Sequence, residues 1–427
     1  MILLGIIILV HELGHFWAAL AIGVKVETFS IGFGPRLFGI RCGKTDFRLS
    51  AIPFGGYIRT IGDEPGRERA AEPRSLQSKA RWQRAVVIIA GPMMNVMLAI
   101  GIVAGLYMCG LSEQVDTTDP IIASIKVNSP AAQAGLQPGD RIVQFHGKRD
   151  PNWDFVLMQE ALNANHRIEG IVERHSQRIL FAITPRMDDM QGIGIAGWSG
   201  EQNVRVGALG QGSPALRAGL RTGDFVLTAN GKRVASPSTI QEVVVRSGGR
   251  PLNFQLMRNG HHETVTVTPV ASNDPKMPWR IGISFKMPAD AAKLGLGPAL
   301  EQSLSLNKQS ALMVFQCLGA MVEKRISPRS LSGPIGLAQL SRDAAQAGTS
   351  TYLSFMALVS LQLAIFNLLP IPILDGGTLL MLIIEMLLQR DISRHVKDVI
   401  FKVACIFLIP VVVFVIHNDI SRLLTRT

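Results

Sequence analysis

A chain of 427 residues that is 47% hydrophobic, with positive mean hydropathy, has room for several domains and is too apolar to read first as a soluble protein. Its net charge of +11 comes from scattered Lys and Arg with no basic stripe interleaved with aromatics, which argues against a nucleic-acid partner and for positive flanks around membrane spans. Cys42, Cys109, Cys317 and Cys405 lie far apart with no CxxC pair, so neither a thiolate metal site nor a redox pair is expected.

Residues 1–24 are apolar except for His11, Glu12 and His15, and at ~1.5 Å per residue a helix of that length just crosses a ~30 Å hydrocarbon core. Without a basic leader or a small-residue cleavage site, the segment reads as a span and not as a signal peptide. Residues 25–84 follow as short strands and turns, punctuated by Gly32, Gly34, Pro35, Pro53, Gly55 and Gly56. They carry twelve Lys/Arg against six Asp/Glu, which favours the cytoplasmic side. Residues 85–111 hold no charge and form a second span, interrupted early by Gly91, Pro92 and Asn95 as tolerated where a neighbouring helix resatisfies the backbone.

From residue 112 the sequence turns polar and repeats itself. Asn128-Ser-Pro-Ala-Ala-Gln-Ala-Gly-Leu-Gln-Pro-Gly-Asp140 aligns with Gly212-Ser-Pro-Ala-Leu-Arg-Ala-Gly-Leu-Arg-Thr-Gly-Asp224, and the same offset carries Gly147-Lys148 onto Gly231-Lys232. Two tandem domains, 112–200 and 201–272, follow from one register spanning both copies. Each block predicts a short glycine-closed helix and a turn before a strand, Arg141 to Phe145 or Phe225 to Ala229. Asn259-Gly260 marks a hairpin turn in the second copy. These blocks resemble PDZ domains, which take an extended peptide onto a sheet edge, although two spacers that bind nothing fit the sequence as well.

Residues 273–351 include an amphipathic stretch, 299–321, that suits either a membrane surface or packing against the second copy. Residues 352–389 form a third span with a break, and residues 400–417 a fourth.

His11-Glu12-Leu13-Gly14-His15 is HExxH, a spacing that puts two imidazoles on one helix face with the glutamate beside them. Three ionisable groups inside an apolar span, each costing on the order of 2.5–3.5 kcal/mol on insertion scales, call for a common purpose. A catalytic zinc takes three protein ligands and keeps a position for water. The best third candidate is Asp375 in Asn367-Leu-Leu-Pro-Ile-Pro-Ile-Leu-Asp375-Gly-Gly, where prolines and glycines break the apolar run. Asp375 also suits the cap of a helix from Thr378 onward, and a two-histidine, one-carboxylate set accepts Fe(II) as well as zinc.

HExxH in a first span and NxxPxPxLDGG in a later one, bracketing tandem repeats, with Gly55-Gly56-Tyr57, Gly91-Pro92 with Asn95 and Ser332-Gly-Pro334 beside them, resemble the site-2 protease family in its bacterial form with two PDZ domains. The resemblance covers nearly the whole chain. Two features depart from the family pattern: only ten residues precede His11, and Thr378 stands where relatives often carry histidine or arginine. The resemblance implies a multi-span α-helical membrane protein of four transmembrane helices, with a membrane-associated β-hairpin and two extramembrane α+β PDZ domains. It implies one Zn²⁺ per chain held by His11, His15 and Asp375, with Glu12 as general base. Asn367 matches an asparagine that holds the substrate backbone, and Phe54, Gly55, Gly56 and Tyr57 match the hairpin edge that pairs with unwound substrate. The implied substrates are single-span membrane proteins, such as an anti-sigma factor already cut once, in the bacterial inner membrane with the PDZ pair on the periplasmic side. A transporter would instead show inverted repeats within the membrane, and the only repeat here lies outside it.

Overall fold

The structure is a computed structural model that describes residues 2–61, 73–111, 120–188, 192–200, 204–210, 212–234, 237–258, 261–272, 277–286 and 293–426. Two compact units divide the chain, one of Met1–Cys109, Lys293–Phe315 and Leu331–Thr427, the other of Gly110–Ala292 and Gln316–Ser330.

Helix α1 (Ile2–Ala21) ends where Gly23 takes φ 74°, with Val24 N–H donating to Ala19 O and Gly23 N–H to Leu20 O, the paired bonds of a glycine-closed helix. Strands β1 (Val26–Cys42) and β2 (Thr45–Thr60) then pair antiparallel in an unusual way. The start of β1 uses both of its edges: Thr28 lies opposite both Asp46 and Arg59, and Ile31 opposite both Leu49 and Gly56. The far half of the hairpin leaves Leu37, Phe38 and Ile40 exposed. Helix α2 (Arg81–Cys109) contains Pro92 and packs along α1. Phe16, Ala19, Val26, Phe29 and Val87 share one core, so the first helix, the hairpin and the second helix are held by the same apolar contacts.

The second unit holds the repeats. In the first copy β3 (Ile122–Ile125), α3 (Pro130–Gln133), β4 (Arg141–Phe145), α4 (Trp153–Leu162), β5 (Ile168–Arg174), β6 (Gln177–Ile183) and β7 (Trp198–Gly200) follow in order. The second copy repeats them as β8 (Arg205–Leu209), α5 (Pro214–Arg217), β9 (Phe225–Ala229), α6 (Pro237–Arg246), β10 (Leu252–Arg258), β11 (His261–Val267) and β12 (Ile283–Lys286). The two strands expected after the repeated blocks are found at those residues. Strands β10 and β11 pair from Leu252 opposite Val267 to Arg258 opposite His261, while the turn Asn259-Gly260 lies outside the described residues. One boundary differs from the sequence reading, because β12 joins the second sheet through β8 although it lies beyond residue 272. The repeat register, which set that boundary, runs out before the last strand.

Both copies use the aspartate of the repeated block alike. Asp140 accepts Gln137 N–H at 2.8 Å and both Arg174 Nε and Nη2 at 2.7 Å. Asp224 accepts Arg221 N–H at 2.8 Å and Arg258 Nε at 2.7 Å and Nη2 at 2.6 Å. Burial works to raise both carboxyls, but the arginines and backbone donors outweigh it and hold them below the ordinary carboxylate range. The copies differ at a buried charged position: Glu160 accepts Ala196 N–H and Trp198 Nε1–H, where the second copy carries the core residue Val244. Burial pushes the Glu160 carboxyl up.

After the repeats come α7 (Leu296–Val322), α8 (Pro334–Ala347), α9 (Thr349–Asn367), α10 (Asp375–Leu388) and α11 (Arg394–Arg426). Asp419 on α11 accepts Gly333 N–H, Ile335 N–H and Gly336 N–H at 2.9–3.0 Å, which ties the start of α8 to the last helix. Among the described residues, Leu3–Ala21, Arg81–Cys109, Thr349–Asn367 and His395–Arg422 are long and apolar enough to cross a membrane. The last helix is much longer than residues 400–417, because hydropathy marks only its apolar middle while its charged ends remain good helix formers.

Candidate metal centre

An uninterrupted apolar helix puts His11 and His15 one turn apart on α1, with Glu12 beside them, and all three are buried. The helix brings them close to α2 because small residues face each other at the crossing. An added Cβ on Gly91 would lie 2.3 Å from His15 Nε2, and one on Gly14 the same distance from Ala90 O. Any side chain at 91 therefore displaces a histidine.

Asp375 arrives from far along the chain. Pro370 and Pro372 end the α9 run, since proline lacks the N–H that a helix needs, and the chain re-enters a helix at Asp375 itself. Its N-cap is Leu374, so the carboxylate does not serve as the cap. Instead Asp375 Oδ2 lies 3.1 Å from His11 Nε2 and 3.4 Å from His15 Nε2, and the two Nε2 atoms are 3.2 Å apart.

The donor set decides what belongs between them. His15 Nδ1 lies 2.8 Å from Val87 O, and because a carbonyl only accepts, the proton sits on Nδ1 and Nε2 is a bare lone pair. That lone pair faces a carboxylate oxygen and the Nε2 of the other histidine. Acceptors converging in a buried pocket need a cation. A tetrahedral zinc at ~2.0–2.2 Å from each ligand separates them by roughly 3.3–3.6 Å, near the 3.1–3.4 Å found here. His11, His15 and Asp375 are also a group of described residues whose ligand atoms all lie within 4.8 Å of one another.

Two further expected residues reach this centre. Asn367, the last residue of α9, has Nδ2 3.4 Å from His11 Nε2. Gly56 on β2 lies against the glutamate, since a Cβ there would stand 2.8 Å from Glu12 Cγ. Gly55 takes φ 107° and packs on Phe33, and Tyr57 stacks on the same ring at 6.0 Å, both contacts lying within the hairpin. Phe54 lies in β2. Sequence reasoning gave Asn95 no task at the centre, although a lone amide in an apolar span was a signal: the structure puts its Nδ2 3.4 Å from His11 Nδ1.

Apolar helices of membrane-crossing length around a buried HExxH centre with a remote aspartate define a membrane-type metalloprotease. The model of Peptidase family M50 matches residues 1–411, and the chain belongs to that family and is a zinc metalloprotease. Similar proteins include the "Regulator of sigma E protease" of Haemophilus influenzae, 32% identical over 99% of this chain and 98% of its own length. The "Regulator of sigma-E protease RseP" of Salmonella typhimurium is 32% identical over 99% of this chain and 97% of its own, and that of Escherichia coli 30% over 98% and 97%. A solved PDZ domain of an SdrC-like protein from Listeria monocytogenes overlays 20% of this chain and 87% of its own at 20% identity, with a TM-score of 0.18, too loose an overlay to carry an argument.

Proposed function

We propose that this protease is an intramembrane endopeptidase, that His11, His15 and Asp375 hold one zinc ion per chain, and that Glu12 is the general base. The single observation that carries the reading is the convergence of two histidine Nε2 atoms and a carboxylate oxygen at 3.1–3.4 Å among helices of membrane-crossing length. Zinc, when bound, supplies Lewis acidity toward the scissile carbonyl and lowers the pKa of a water. Glu12 takes the proton of the attacking water and returns it to the leaving amine. Asn367 then hydrogen-bonds the substrate backbone beside His11. A helical substrate hides its peptide bonds in its own hydrogen bonds, so it must unwind, and β2 from Phe54 to Tyr57 takes the opened segment as an added strand. The contact between Gly56 and Glu12 supports this role, because it lays that strand beside the base.

The relatives' names favour a substrate in sigma-E signalling, and we infer a single-span anti-sigma factor cut beforehand by another protease. The exposed Leu37, Phe38 and Ile40 suit a hairpin that dips into lipid, which makes lipid a partner. The location is the bacterial inner membrane. The repeats are two PDZ domains on its periplasmic side, where they bind peptide or screen substrates by size. The test is zinc analysis of the purified protein beside cleavage of a single-span substrate. Glu12→Gln should keep stoichiometric zinc and lose about 10²–10⁴-fold in cleavage rate, as expected for removal of a general base. A Gln variant cutting at the parental rate would refute the assignment.

A further inference from the structure

Asn95 is wholly buried in the middle of α2. Its backbone oxygen accepts the Ser360 hydroxyl at 2.9 Å, which joins α2 to α9. Its side chain does something else. Nδ2 stands 3.4 Å from His11 Nδ1, while Oδ1 is buried with no hydrogen-bond partner among the described residues. A buried amide oxygen without a donor is costly, on the order of 1–3 kcal/mol, and calls for an explanation.

His11 supplies one. Its Nε2 faces His15 Nε2 and Asp375 Oδ2, so it must be the bare nitrogen if it is to hold a cation, and the ring proton then sits on Nδ1. An Nδ1–H needs an acceptor. A half-turn of the Asn95 amide brings Oδ1 to that nitrogen, which satisfies the unpartnered oxygen and the Nδ1–H together. The same arrangement already holds for His15, whose Nδ1 lies 2.8 Å from Val87 O on the same helix. Helix α2 thus offers an acceptor to each histidine, one from the backbone and one from a side chain.

We propose that Asn95 is a positioning residue of the metal centre, its side-chain oxygen accepting the Nδ1–H of His11 and holding that ring with Nε2 toward the ion. The proposal rests on His11 being a ligand. Outer partners of this kind typically change metal affinity by about 10–100-fold. Because the bond to Ser360 uses the backbone of Asn95, substitutions at this side chain leave the α2 to α9 link in place.

The experiment measures zinc affinity of the full-length protein in detergent by competition with a chelator, for the parent, Asn95→Leu, Asn95→Asp and His11→Ala. Leucine fills the volume without an acceptor and should weaken zinc binding about 10–100-fold, while aspartate keeps the acceptor and should bind within about threefold of the parent. Parental affinity in Asn95→Leu, or equal losses in the leucine and aspartate variants, would overturn the proposal. His11→Ala separates the two readings: if it retains zinc, His11 is no ligand and the site assignment fails as well. If the leucine variant does not fold, ¹⁵N spectra of labelled histidine in the zinc-free parent decide. They should show His11 protonated on Nδ1, and an Nε2-protonated ring would overturn the proposal.

Discussion

Aspartates meet partner side chains in both units, and the contrast between buried Asp140 and Asp224 and half-buried Asp375 separates a closed carboxylate from an open one. In the repeats, Asp140 and Asp224 each meet an arginine and a backbone N–H, so every charge has its complement and nothing further is called for. In the helical unit, Asp375 meets two histidines, one of which has its only proton turned away toward Val87. One arrangement is electrostatically closed. The other is a ring of acceptors that needs a cation from outside, and that need is what a metal enzyme is built around.

The sharpest way to break the contrast is to remove one aspartate of each kind. Asp375→Ala should abolish zinc retention and reduce cleavage at least about 10³-fold while the repeats stay folded, measured by metal analysis and hydrogen exchange on one sample. Stoichiometric zinc in that variant would move the third ligand elsewhere. Asp224→Ala should do the reverse. It leaves Arg258 partly buried with Glu263 as its remaining charged partner among the described residues, which should destabilise the second repeat by about 3 kcal/mol, seen as faster exchange in residues 205–258 with zinc content unchanged.

Next in size is Gly91→Ala, whose methyl occupies the position of the His15 ring. Zinc affinity should fall about 10–100-fold in a protein that still inserts, and unchanged affinity would mean that α2 yields where the crossing suggests it cannot.

The smallest effect is one of pH. Asp140 and Asp224 have depressed folded values, so their contribution to stability is fully present above the unfolded carboxylate value near ~3.9 and is lost as pH falls through the folded values below it. Protection of both repeats against exchange should therefore hold steady down to about pH 4 and fall below it, and Asp140→Asn should flatten that fall in the first repeat only. A fall that begins well above that value would have to come from other groups.

Much of this molecule was legible in sequence because its signals are local or periodic. HExxH puts two histidines on one face through the pitch of one helix. The register between Asn128 and Gly212 fixes two like domains, and hydropathy finds four spans although it shortens the last. Asp375 could be guessed, since prolines and glycines around a lone acid mark a break at membrane depth. Pairing and packing were not legible. That β1 uses both edges depends on long-range register, and that Arg174 and Arg258 close the two aspartates depends on strands folding back onto the repeated block. Glu160 reads as an ordinary helix residue until β7 arrives to supply its donors. Asn95 passes for a tolerated interruption until α1 crosses α2 at Gly14 and Gly91, and only that crossing, set by the contact of small residues and not by any local pattern, turns its amide toward a histidine 84 positions away.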